Sequence, residues 1–143
     1  MTWGEIQIIA LEKMFAKDEP IDVSKLEILR EDDDCKWYLS AMPAVANEAL
    51  QRIKPNIMNM FQLNKETGKY DKTTIDRIDK DTKDDYKLTI SEDACVLIPL
   101  YIASQLYKDD DISQATAYRN EFEVGLQKLY YNIETQESIK EVY

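Results

Sequence analysis

The chain contains no histidine, and its 143 residues include only three glycines, four prolines and two cysteines. Without histidine it lacks the commonest general base and the commonest metal ligand at neutral pH. Three scattered glycines cannot build a dinucleotide-binding loop or a P-loop, since both need glycines at fixed short spacings. Cys35 and Cys95 lie far apart and are too few for a zinc site. The start, Met1-Thr2-Trp3-Gly4-Glu5, has no basic flank and is not expected to act as an export signal. Both thiols are therefore expected to be reduced, small and buried. Long disordered stretches are not expected with so little glycine and proline. No run reaches the ~18 apolar residues that span a bilayer, so a soluble intracellular protein without a cofactor or metal is expected.

What the chain has is apolar residues, at 44 % of the total, and negative charge, at a formal −10. The length suits one domain. The net charge disfavours a duplex-binding surface, which needs clustered Lys and Arg. It is compatible with a conduit that must let nucleic acid pass without sticking. The charge is uneven: residues 1–63 carry 11 acids and 7 bases, residues 64–87 carry 7 of each, and residues 88–143 carry 10 acids and 4 bases. The densely charged but neutral middle reads as a solvated loop.

Hydrophobic spacing predicts a mainly α protein, a small bundle of about four main helices with a β-containing hairpin or loop between the second and third. The first helix spans about Thr2 to Lys17, with Thr2 and Glu5 as a capping box. Its apolar residues cover all but a strip around Glu5 and Glu12, so it should be buried on most of its circumference. Asp18-Glu19-Pro20 ends it. Residues 21–31 suit a helical turn or an extended link. The aspartates at 32–34 can cap a second helix running to about Ile53, in which Pro43 should break or kink the chain or begin a second helix at its first turn; Lys54-Pro55 is a stop. Residues 57–63, 70–78 and 86–90 read as short strands, with polar turns at 65–69 and 79–85. Ser91 caps the third helix, whose apolar run from Val96 to Leu106 should be the central core helix, kinked at Pro99. Asp111 and Gln114 cap the fourth, which should run to about Tyr130, leaving a loosely held tail.

Few residues suggest chemistry. Asp79 to Asp85 offers acids at the first and third positions of a calcium loop. It then puts Lys83 at the fifth, Asp84 where glycine is required and Ile90 where a bidentate glutamate belongs. A solvated loop is the better reading. The aspartates at 32–34 and 109–111 are explained by helix capping. Asn47 and Glu48, in an Ala-rich helix, suit a polar contact across an interface, or else one exposed residue and one internal hydrogen bond. Among nine tyrosines, Tyr101, Tyr107 and Tyr118 read as core, while Tyr130, Tyr131 and Tyr143 suit interface and solvent equally.

Three stretches resemble the head–tail adaptor (connector) proteins of tailed bacteriophages, of the type found in phages and prophages of Gram-positive bacteria. They are Thr2-Trp3-Gly4-Glu5-Ile6 through Lys13-Met14-Phe15; Tyr38-Leu39-Ser40-Ala41-Met42-Pro43-Ala44-Val45-Ala46-Asn47-Glu48-Ala49-Leu50; and Ile98-Pro99-Leu100-Tyr101-Ile102-Ala103 through Asp109-Asp110-Asp111 to Tyr118-Arg119-Asn120-Glu121-Phe122-Glu123. They cover about half the chain. The resemblance implies a non-enzymatic virion protein: a helical adaptor domain at residues 1–131 and a docking tail at 132–143. Roughly twelve copies would form a ring beneath the portal. That ring would bridge the portal to a stopper or tail-completion protein and line a channel through which DNA passes without specific binding. Location in the virion neck, and in the host cytoplasm during assembly, follows. The resemblance assigns portal docking to Tyr131, Ile133, Ile139, Val142 and Tyr143. Trp3, Ile8, Phe15, Asn47 and Glu48 would then meet neighbouring subunits. A loop carrying Lys65, Lys69, Lys72, Asp79, Asp81, Asp84 and Asp85 would face the channel or the next ring.

Two other classes compete. A small acidic inhibitor or DNA-mimic module would array its acids on one face for a basic partner. An enzyme using paired carboxylates would need an acid–base partner beside the pair, and none is visible in the sequence.

Overall fold

The Thr2 hydroxyl accepts the Glu5 backbone N–H at 3.2 Å and donates to the Glu5 carboxylate at 3.1 Å. This cap starts α1, Trp3–Met14, in a computed structural model. The structure describes residues 1–15, 21–57, 61–63, 70–72 and 75–142, with side chains described at 1–15, 21–57 and 75–129. As expected, α1 is buried around most of its circumference and exposes a strip at Glu5 and Glu12. It ends at Met14, short of the expected Lys17, because Phe15 is extended (φ −124°, ψ 121°); the stop expected at Asp18 to Pro20 lies outside the described residues. The ambiguous stretch is helical: Asp22 caps a 3-10 turn at Val23–Lys25, which leads into α2, Leu26–Arg30.

The second long helix, α3, runs Lys36–Ile57 and contains both Pro43 and Pro55. Neither the break at Pro43 nor the stop at Lys54-Pro55 occurs. Each proline removes one backbone donor. That cost is offset by a buried stripe of Leu39, Met42, Ala46, Ala49, Leu50, Ile53 and Ile57, which only a continuous helix can align.

Pro99 acts differently. The expected single kinked helix is two helices, α4 at Glu92–Cys95 and α5 at Leu97–Leu106, parted at Val96. Restarting at Leu97 puts Pro99 in the first turn of α5, where backbone N–H groups have no intrahelical acceptor and a missing one costs nothing.

Among the described residues the β content is smaller than expected. β1, Phe61–Leu63, and β2, Tyr70–Lys72, pair antiparallel with Phe61 opposite Lys72. Residues 75–78 and 86–90, expected as strands, are irregular. The second of them makes only an isolated bridge, between Thr2 and Lys87, outside the β1–β2 sheet.

Helix α5 packs against α1, α3 and α6, so it is the centre of the bundle. Ile98, Ile102 and Ala103 are fully buried there, as are Ile6, Leu50, Ile53 and Phe122 on the surrounding helices. Burying each large apolar side chain contributes about 1.5–3 kcal/mol. Cys35 and Cys95 are buried, and burial pushes the Cys95 thiol up to about 11.

Helix α6 runs Ile112–Val142, opened by Asp111 accepting the Gln114 N–H at 3.1 Å. It is longer than the expected helix, because residues 131–142 continue it rather than leave it. α6 lies parallel to α3: Tyr38 bonds Asp110, Arg52 pairs with Glu123 at 2.6 Å, and the Asn56 amide donates to the Leu126 carbonyl at 2.8 Å. α3 ends one residue after Asn56, whereas α6 continues to Val142, roughly 22 Å further at 1.5 Å per residue.

Candidate functional site

The residues expected to meet a neighbouring subunit are mostly used inside the chain. Trp3 is 2 % exposed and Ile8 is 6 % exposed, so α1 spends both on its own core. Phe15 is half-buried, with its ring edge-on to Tyr38 at 5.2 Å. Asn47 both donates to the Ile78 carbonyl and accepts the Ile78 N–H at 2.8 Å. Glu48 is exposed and accepts the Tyr101 hydroxyl at 3.2 Å. For Trp3, Ile8 and Asn47 the inter-subunit expectation is corrected: the two apolar side chains are buried, and the Asn47 amide is paired with the Ile78 backbone within one chain.

The charged loop also divides. Lys65 and Lys69 lie outside the described residues, and Lys72 closes β2. Asp79, Asp81 and Asp85 are exposed, with Asp79 ordering a turn by accepting the Asp81 N–H at 2.8 Å. Asp84 is not a free channel-facing acid. Its carboxylate accepts the Arg30 guanidinium at 2.5 Å and the Gln7 amide at 2.9 Å, and its carbonyl accepts the Gly4 N–H at 2.8 Å. Burial works against its charge, but the hydrogen bonds from Arg30 and Gln7 outweigh burial and hold its carboxyl below the usual value. A cleft of about 650 Å³ opens beside this lock, between the starts of α1 and α3 and residues 79–84.

Residues 75–90 are therefore a strap tied across the bundle. Ile78, Leu88 and Ile90 plug into the core. Asp76, 8 % exposed, accepts the Tyr86 hydroxyl at 2.6 Å, the Thr89 N–H at 3.0 Å and the Thr89 hydroxyl at 3.0 Å. That bond is the main cause that raises the Tyr86 phenol above its ordinary value. Trp3 N–H donates to the Tyr86 carbonyl at 2.8 Å, and Leu88 N–H to the Met1 carbonyl at 3.1 Å. Every fully buried side-chain nitrogen and oxygen among the described residues has a partner. Among them no three acids or cysteines gather to hold a metal ion, and no helix is long and apolar enough to cross a membrane.

The tail residues Tyr131, Ile133, Ile139 and Val142 lie on α6, where only the backbone is described; Tyr143 lies outside the described residues. Of the core tyrosines, Tyr101 is buried against Phe122 at 5.0 Å, while Tyr107 and Tyr118 are half-buried.

One surface escaped the sequence reading. Trp37, an apolar residue in the first turn of α3, is 59 % exposed. A signal was present: Trp37 shares its side of α3 with Ser40, Ala44, Glu48 and Gln51, all exposed and at helical spacing. Its ring meets Tyr38 edge-on at 5.0 Å, and the Tyr38 hydroxyl donates to Asp110. That bond, then burial, pushes the Tyr38 phenol up to about 12.

No protein-family model matches the chain, and no curated protein or solved structure matches it significantly.

Proposed function

We propose that this chain is the subunit of a bacteriophage head–tail adaptor ring, docking on the portal through its C-terminal segment. The observation that carries the reading is the reach of α6. Parallel to α3 and in register with it from Asp110 to Leu126, α6 passes the end of α3 by roughly 22 Å. The segment holding Tyr131, Ile133, Ile139 and Val142 is thus on the helical extension of α6 rather than on an irregular tail. Support also comes from the likeness in wording described above and from a surface whose net charge resists holding DNA.

The bundle is self-sufficient as a folded unit, since Trp3 and Ile8 need no neighbour for their burial. On this reading the ring is assembled from folded monomers, with surface residues such as Phe15 and Glu48 left for neighbours and the exposed Asp79, Asp81 and Asp85 for the channel or next ring. The test is mass by light scattering, with the chain alone and mixed with a portal. A ring, or a defined complex with portal that is lost when residues 132–143 are removed while helicity from the bundle persists, is expected. A monomer indifferent to every portal offered overturns the reading and favours an acidic inhibitor.

A further inference from the structure

We propose that the edge formed by Trp37, Tyr38 and Asp110 is a docking surface for an arginine-bearing segment of a protein partner. Three independent features converge there. First, Trp37 is left 59 % exposed although the bundle buries Trp3 almost completely, so a large apolar ring is kept at the surface. Second, the edge is preorganised. Phe15, Tyr38 and Trp37 form a row of edge-on rings at 5.2 Å and 5.0 Å, and Tyr38 is fixed at its other end by Asp110. Little side-chain freedom remains to be lost on binding. Third, two acidic turns frame the row. Asp33 and Asp34 immediately precede α3, and Asp109 to Asp111 precede α6, all exposed. Asp109 is near enough for its charge to act on Tyr38. Lys36 is taken up by Asp33 at 2.9 Å, whereas the carboxylates of Asp34 and Asp109 have no hydrogen bond or ion pair among the described residues.

An exposed indole beside unpaired carboxylates selects a cation that is planar and weakly hydrated. Arginine stacks on an indole and forks onto a carboxylate at once, which lysine does less well. A nucleic acid is disfavoured by the formal charge of −10, and a second copy of the chain is distinguished by the test below. The assignment goes beyond the ring reading and stands without it, because it concerns one chain and one segment.

The test uses the full chain and fluorescein-labelled octa-arginine at 0.15 M salt, with octa-lysine and a DNA oligonucleotide in parallel. Expected are tighter binding of octa-arginine than octa-lysine and quenching of indole emission. A loss of roughly tenfold in affinity is expected for both Trp37→Ala and the pair Asp34→Asn with Asp109→Asn. The pair Asp93→Asn with Glu121→Gln removes the same two charges elsewhere on the exposed surface and is expected to leave affinity within about twofold. Circular dichroism and the thermal midpoint check that each variant is folded. Equal losses from the two aspartate and glutamate pairs, an unaltered Trp37→Ala, preferred binding of DNA, or a dimer that Trp37→Ala dissolves would each overturn the proposal.

Discussion

Helix α5 and the strap at residues 75–90 press on the same core and are held there by different physics. The ten residues of α5 include no charge, and eight of them are buried, even its Ser104, whose hydroxyl donates to the Tyr101 carbonyl at 2.7 Å. Nine of the sixteen strap residues are charged, and the strap buries Ile78, Leu88 and Ile90 as separate plugs. Between the plugs it is located by directional bonds, chiefly those of Asp76, Asn47 and Asp84. Dispersed apolar burial gives α5 a strength that no single atom carries. In the strap a few atoms carry most of the attachment, so removing one should release a local segment rather than unfold the chain.

The sharpest way to break this comparison is Ile102→Ala in α5. Ile102 is fully buried, and the cavity should cost about 2–5 kcal/mol of global stability in chemical denaturation. An effect below about 1 kcal/mol would mean the core collapses around the site and α5 is not its centre.

Next comes Asp76→Ala. It removes the acceptor of the Thr89 N–H and the Tyr86 hydroxyl, groups that water can reach, and should cost about 0.5–1.5 kcal/mol. Its signature is local: hydrogen exchange should quicken at the strap amides, such as Leu88, before those of α5. Simultaneous loss of protection in both regions would show that strap and core are one cooperative unit.

The smallest effect concerns pH. The Asp84 carboxyl sits below its ordinary value of 3.8 in the folded chain, so ionised Asp84 stabilises the fold at higher pH. That contribution is present above the ordinary value and disappears as pH falls through the folded one. The stability gap between the native chain and Asp84→Asn, read as thermal midpoints, should therefore narrow on acidification through and below pH 3.8. A gap equally wide at neutral pH and in strong acid would assign the lock to shape rather than charge.

Much of the helical part was legible because helices declare themselves locally. The Thr2, Ser91 and Asp111 caps form where hydroxyl and carboxylate side chains precede apolar runs, and Val96 to Leu106 holds the core helix. The prolines were legible only in part. Pro99 does interrupt its helix, but by a restart; Pro43 does not interrupt, because the buried stripe that outweighs it depends on partners far away in sequence. The strap was the least legible. Asp76, Asp79, Asp81, Asp84 and Asp85 look alike in sequence, yet Asp76 and Asp84 anchor the strap while the other three face water. Asn47 belongs with the anchors for the same reason, since its partner Ile78 lies across a long stretch of chain. Trp37 is the converse case, an apolar residue whose helical phase places it outside.

The sequence by itself determined that this chain is mainly helical, where most helices begin, which run is central, and that it carries strong negative charge without histidine chemistry. These follow from composition and from periodicities of three to four residues, which need no knowledge of distant partners. Only the tertiary structure decided which carboxylates are anchors, which prolines are tolerated, which tryptophan is offered to solvent and how far α6 outruns α3. Each of those is settled by what stands opposite a residue after folding, and a balance between one lost hydrogen bond and a buried face cannot be struck until both faces are in contact.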